Sequence, residues 1–303
     1  MPLNPDQLLS FVMLVQRGSI SAAAQARHLT QPAISNQLKR LQESVGMPLY
    51  RRQGRGVILT GSGESFYRYA LAVQQSLHAA EDFAEALHGL DAGRVYLAAS
   101  QTIAGSLLPA ALVAFRAIAP HVEVFVDSCN SQQVFAGMGE HDLGLVESPL
   151  PSSVPACCRV VALGQDRIVA VMRHDHALVA HQAVSLTEMA EYPLIWRESG
   201  SGTRAVLEQA FIETLGHRPD IHLCLGGVSA VLEAVRQDLG IGVVSQFCLP
   251  TGERMLTTRT LQPQLRRPMS LLLPAHASPI AKKFADFLAP CLQARLNPDS
   301  TSQ

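Results

Sequence analysis

The stretch GSISAAAQARHLTQPAISNQLKRLQESVGMPLYRRQGRGVILTGSGE, Gly18 to Glu64, decides the reading of the chain's first part. Its third segment is the informative one. Thr30 is placed to cap a helix with Pro32 in the first turn, where a missing N–H costs nothing. Ile34, Leu38, Leu41 and Val45 then follow at intervals of 4, 3 and 4, which makes one apolar stripe. The opposite face presents Gln31, Pro32, Ser35 and Asn36 near the start and Lys39 and Arg40 further along. Short hydrogen-bonding groups at a helix N-terminus suit base edges in a major groove, and cations further along suit phosphates. A polar face alone describes any solvated helix, so the neighbouring segments have to decide.

Upstream, Asn4-Pro5-Asp6-Gln7 reads as a helix start, Leu8, Phe11, Val12 and Val15 as its buried side, and Gly18 as its stop. Ser19 or Ser21 restarts a short helix through Ala22-Ala23-Ala24. Downstream, Leu49-Tyr50-Arg51-Arg52 and Val57-Ile58-Leu59 flank Gln53-Gly54-Arg55-Gly56, which predicts a hairpin with a basic tip. Arg55 is placed to enter a minor groove, with Arg52 beside it. Three helices and a basic wing predict a winged helix-turn-helix. The charge agrees: residues 1–62 carry seven basic and two acidic side chains, net +5, on a remainder of net −6.

Gly18 to Glu64 resembles the signature of LysR-type transcriptional regulators, and the likeness extends over essentially the whole chain. The resemblance implies that Gln31, Pro32, Ser35 and Asn36 face the major groove and Arg55 the minor groove. It also implies a C-terminal domain like periplasmic binding proteins, with a small effector between two α/β subdomains, and a homotetramer.

Thr60 or Ser62 can cap a long helix in which Phe66, Ala70, Val73, Leu77, Ala80, Ala84 and Leu87 follow a heptad seam. An amphipathic helix lying on its own domain shows similar spacing. The strict 3.5-residue period favours a partner helix, hence a homodimer reading two-fold-related half-sites on double-stranded DNA. Gly89, Asp91 and Gly93 mark a hinge. The expected domains are therefore 1–60 (DNA binding), 61–90 (linker helix) and 91–303 (effector binding). Within the last, subdomain I covers about 94–165 and 268–296, and subdomain II about 166–267.

From Arg94 onward strands and helices alternate, which predicts parallel α/β layers with ligands beyond the strand ends. Three such ends carry small polar residues: Ser100-Gln101-Thr102, Ser199-Gly200-Ser201-Gly202-Thr203 and Gly226-Gly227-Val228-Ser229. Ser and Thr cap helices anyway, but the glycines of the second turn invite an anion. The patterns AASQTIAGSLLP (98–109), LGLVE (143–147) and RESGSGTR (197–204) are similar to the branch of sulfite-reduction and carbon-fixation regulators, with departures at Gln101 and Ala104. The expected effector site comprises Ser100, Gln101, Thr102, Glu147, Trp196, Ser199, Ser201, Gly202, Thr203 and Ser229. The expected ligand is a small anion, a sulfur oxyanion or small carboxylate, with Arg197 or Arg204 balancing Glu147.

No apolar run reaches membrane-spanning length and no basic segment precedes an apolar one, which predicts a cytoplasmic protein. No GxSxG, HExxH or paired-carboxylate motif supports an enzyme, and no cofactor or metal is expected. His174-Asp175-His176 reads as a turn. The six cysteines lack CxxC spacing and read as small apolar side chains, with adjacent Cys157 and Cys158 the one pair that a redox role would use. Two other classes compete: a stand-alone anion-binding protein, which would not carry residues 1–90, and an architectural DNA-binding protein without an effector.

Overall fold

The structure, a computed structural model, describes residues 3–54, 56–87, 92–150, 158–249, 252–275 and 277–297, without the side chains at 78, 79, 82, 83, 85–87 and 92. Arg55, Cys157 and the 89–91 part of the expected hinge lie outside the described residues. The chain divides into two compact units, Met1–Leu87 and His88–Gln303.

In the first unit, α1 (Pro5–Arg17) is capped by Asn4, whose side chain accepts from the Asp6 N–H, and stopped by Gly18 in the left-handed conformation. Helix α2 (Ile20–Ala26) is capped by Ser19, and α3 (Gln31–Val45) by Thr30, with left-handed Gly46 at its end. Each such cap contributes about 1 kcal/mol. Phe11, Ile34, Leu38 and Leu41 are fully buried in one core with Leu8, Val12 and Leu14. The hairpin of β1 (Tyr50–Gln53) and β2 (Gly56–Leu59) pairs Tyr50 with Leu59 and Arg52 with Val57.

Helix α4 (Gly61–Leu87) corrects the reading of a single uninterrupted seam. Thr60 is the cap, accepting from the Gly63 N–H at 3.0 Å. Phe66, Ala70 and Val73 pack on the unit's own core, with Phe66 6.0 Å from Phe11 between ring centroids. Only Leu77, Ala80 and Ala84 remain exposed along the stripe, and the Leu87 side chain lies outside the described residues. A seam residue next to a folded domain finds a nearer apolar surface than a second helix.

The second unit is built on β3 (Ala92–Ser100), β4 (His121–Cys129) and β5 (Leu143–Val146), joined by α5 (Leu108–Ile118) and α6 (Ser131–Gly137), with a π-helical turn at Ile103–Leu107. Then come β6 (Cys158–Arg173), β7 (Ala183–Ser185), α7 (Leu186–Met189), β8 (Leu194–Arg197), α8 (Gly202–Leu215), β9 (Leu223–Leu225), α9 (Val228–Arg236), β10 (Ile241–Ser245), β11 (Leu256–Gln262), β12 (Arg266–Pro274) and α10 (Pro279–Leu296). The expected parallel pairings hold for β4-β3-β5 and β10-β8-β9. The sheets are mixed, however, because β12 and β6 run antiparallel to their neighbours and to each other. Residues 158–167 of β6 pair with β12, and residues 168–173 pair with β10 and β11. One strand thus serves both halves, each with its own apolar core.

Candidate DNA-reading face and effector crevice

On α3 the buried stripe turns the other face outward by construction. Gln31, Pro32, Asn36, Lys39 and Arg40 are exposed, and Ser35 is half-buried. Gln31 Nε2 donates to Ser21 Oγ at 2.7 Å, which ties the start of α3 to α2 and leaves the Gln31 oxygen as an acceptor. Lys39 lies 3.8 Å from Glu43 one turn on, a contact too exposed to hold it from a phosphate. Arg52 is exposed on the wing.

In the second unit the strand ends converge on a buried charged cluster whose centre the sequence did not reveal. Arg267 of β12 is wholly buried. Its Nε donates to Asp166 Oδ2 at 2.9 Å, Nη1 to Thr203 Oγ1 at 2.8 Å and Nη2 to Thr102 Oγ1 at 3.1 Å. Nη2 also lies 3.0 Å from Glu147 Oε2. Ser245 Oγ donates to Asp166 Oδ1 at 2.8 Å. Two carboxylates and two hydroxyls from both subdomains therefore meet on one guanidinium. The expectation that Arg197 or Arg204 balances Glu147 is corrected in part: Arg267 carries the contact, the Arg197 charge adds a weaker pull, and Arg204 turns to Glu208 at 2.9 Å.

Burial pushes the Glu147 carboxyl up from the ordinary glutamate range, against the pull of Arg267 and Thr102, and the Asp166 charge adds to the rise. Its Oε2, paired by charge, has no hydrogen-bond partner. Protonated, Glu147 becomes a donor inside the site. The folded state then holds this proton more tightly than the unfolded chain. Its contribution to stability is complete below the ordinary glutamate range and is lost as pH rises through the raised value. Glu147→Gln should flatten that part of the profile, so urea midpoints from about pH 5 to 9 should fall less steeply than in the parent. Parallel profiles would contradict the assignment.

A second polar layer lies alongside. Arg197, 3% exposed, is held by Glu198 at 2.8 and 3.0 Å and donates from Nη2 to Gln101 Oε1 at 2.7 Å. The same Gln101 oxygen accepts from the Val228 N–H at the start of α9, and Glu198 accepts from the Gly227 N–H. Gln101 and Glu198 thus stand where an oxyanion would meet a helix N-terminus. Arg197 Nη1 and Ser100 Oγ are buried without partners.

Three of the expected site residues have other duties. Trp196 packs in the core of subdomain II, 6.0 Å from Phe211, because alternation along β8 sends it to the face opposite Arg197. Ser201 caps α8 through the Arg204 N–H. The glycines of the 199–203 turn serve the protein's own packing: a Cβ on Gly202 would stand 2.2 Å from the Glu147 carbonyl oxygen, and one on left-handed Gly200 2.7 Å from Gln132 Oε1. Asn130 Nδ2 donates to the Ser199 carbonyl at 3.2 Å across the same contact. Thr102, Thr203 and Glu147 meet at Arg267, Gln101 meets Arg197, and Ser100 is buried next to Gln101, whereas Ser199 and Ser229 are exposed.

His174 and Asp175 lie in a turn after β6, Asp175 pairs with Arg173, and His176 caps the 3-10 turn that follows. Among the described residues no cluster of His, Cys, Asp or Glu has the makings of a metal site. None of the described helices is long and apolar enough to cross a membrane.

Residues 5–64 match the bacterial regulatory helix-turn-helix protein, lysR family, and residues 88–292 match the LysR substrate binding domain. The chain belongs to the LysR family of transcriptional regulators. It is 32% identical over 266 residues to the RuBisCO operon transcriptional regulator of Allochromatium vinosum, covering 86% of this chain and 84% of that one. Its fold is similar to that of a full-length OxyR variant from Pseudomonas aeruginosa, with TM-score 0.73, 20% identity and coverage of 96% and 98%. The regulatory domain of Synechocystis PCC6803 CcmR superposes with TM-score 0.58 at 26% identity, over 65% of this chain and 96% of that domain. These likenesses place this LysR-type regulator with the carbon-fixation branch and among regulators, not enzymes.

Proposed function

We propose that this regulator binds promoter DNA through Gln31, Pro32, Ser35, Asn36, Lys39, Arg40, Arg52 and Arg55, and that a small anion between the two C-terminal subdomains modulates that binding. The observation that carries the effector half is the pair of buried, partnerless donors, Arg197 Nη1 and Ser100 Oγ, beside Gln101 and Thr102. Buried polar groups without partners are costly, and an oxyanion satisfies both. Protonated Glu147 adds a donor, so the anion's affinity should weaken as pH rises. The CcmR regulatory domain was solved in complex with 2-PG, which supports a small anion of that kind over the sulfur oxyanions. Subdomain closure around it alters DNA bending at the promoter.

The exposed Leu77, Ala80 and Ala84 support a homodimer through the far half of α4, and two dimers form the tetramer that acts in the cytoplasm. Calorimetric titration of the full chain with 2-PG, sulfate, sulfite, thiosulfate and small carboxylates tests the effector site. Failure of every anion to bind removes it. On the DNA side, Asn36→Ala should cost about 1–3 kcal/mol at one base position, whereas Lys39→Ala should weaken all sequences alike and reduce the salt slope by about 1. Equal losses for Asn36→Ala on every sequence would move that residue off the bases.

A further inference from the structure

Asp166 and Arg267 face inward where β6 and β12 cross between the subdomains, and their neighbours in sequence face the other way. Arg167 and Arg266 are direct cross-strand partners there. Like charges placed opposite each other on a sheet repel. Arg266 leans on the neutral Gln264 oxygen at 2.9 and 3.1 Å. Arg167 has no carboxylate partner among the described residues, and its Nε is buried with no hydrogen-bond acceptor.

Arg167 opens onto a cleft of about 470 Å³ on the outer side of subdomain II, lined also by Gln246, Thr258, Thr260, Arg259 and His181. That volume is in the range of small-molecule sites. Arg259 is structural: its guanidinium donates to the carbonyls of Val179, His181 and Thr258 and so fixes the 179–182 turn as one wall. It still adds a positive charge. No Asp or Glu among the described residues lines the cleft; Glu188 is bound in a capping box with Ser185 and, of the lining residues, meets only His181, at 3.1 Å. Gln246 and Thr258 add polar side chains to the lining beside Arg167, and the Thr260 hydroxyl donates to the Gln182 carbonyl at 3.4 Å.

We propose that this cleft is a second anion site, separate from the crevice, which takes the phosphate or carboxylate group of a small molecule on Arg167. Arg167 sits one residue from the point where β6 changes its pairing from β12 to β10 and β11. A ligand there binds the strand that joins the subdomains and tunes the crevice from outside.

The test is protection of Arg167 in the full-length protein from phenylglyoxal, read by peptide mass spectrometry, with pyrophosphate and citrate as phosphoryl and carboxylate probes. At about ten times its Kd, one of the two should slow Arg167 modification about tenfold by occupying the site, and the one that does identifies the source. Arg197→Gln, which disables the crevice, should leave the protection intact. No protection by either probe overturns the proposal, and so does protection that disappears in Arg197→Gln, since the effect then arises in the crevice. Arg167→Gln should keep or raise the thermal midpoint, because it relieves repulsion from Arg266. A lower midpoint would make Arg167 a structural residue and sink the idea as well.

Discussion

Replacing Arg267 by Met should destabilise the C-terminal unit by about 3–5 kcal/mol, the scale expected when one partner of a buried ion pair is removed. The reason is what stays behind. Asp166 and Glu147, 0% and 2% exposed, lose their one shared cation, and the Thr102 and Thr203 hydroxyls lose a donor. The urea midpoint of that unit should drop, and the drop should grow as pH rises and Glu147 loses its proton. Combining Arg267→Met with Asp166→Leu should recover part of the loss, since an apolar replacement of a whole buried pair is often neutral. If Arg267→Met alone unfolds no earlier than the parent, the cluster does not hold the unit together. A parent-like midpoint with lost anion binding would confine Arg267 to the effector.

The second large effect is expected from a single methyl group. Gly202→Ala puts a Cβ 2.2 Å from the Glu147 carbonyl oxygen, a backbone atom that cannot swing away, with the Ser148 Cβ at 3.1 Å. The 199–203 turn must then lift from the opposite rim. The cost of overpacking, about 1–3 kcal/mol, falls on the closed arrangement and not on either core. Anion affinity should therefore fall about 5- to 150-fold while each subdomain stays folded. DNA affinity without added anion should be unchanged, and its response to anion should shift to higher concentration. Unaltered anion affinity in Gly202→Ala would show that the rims need not meet for binding.

Much of the first unit was legible because its determinants are local. Asn4, Thr30, Gly18 and Gly46 act within a turn of their own position, and the Ile34-Leu38-Leu41 stripe is read directly from spacing. The α4 seam was misjudged in its first half because spacing reports an apolar side but not what covers it. In the second unit the parallel βα runs were legible, whereas the antiparallel crossing of β6 and β12 pairs residues about a hundred positions apart. Arg267 illustrates the limit. In the run Arg266-Arg267-Pro268 it looks like a surface cation, and its burial is decided by Thr102, Asp166 and Thr203, all distant in sequence. Strand β8 is buried along its whole length, so alternation could not say whether Trp196 or Arg197 faces the crevice.

The crossing itself limits what the molecule can signal. Among the described residues the backbone passes between the subdomains along two strands, β6 and β12, which lie side by side and are bonded to each other. A two-ply ribbon is stiff in its own plane and yields mainly to flexing across it. Whatever ligand arrives, the permitted response approximates one swing about one axis, like a door on two pins. Asp166 and Arg267 are buried against each other on that hinge, so an anion that drew on their charge would also change how far it opens. Such a device grades its output by occupancy, not by the detailed shape of what it holds.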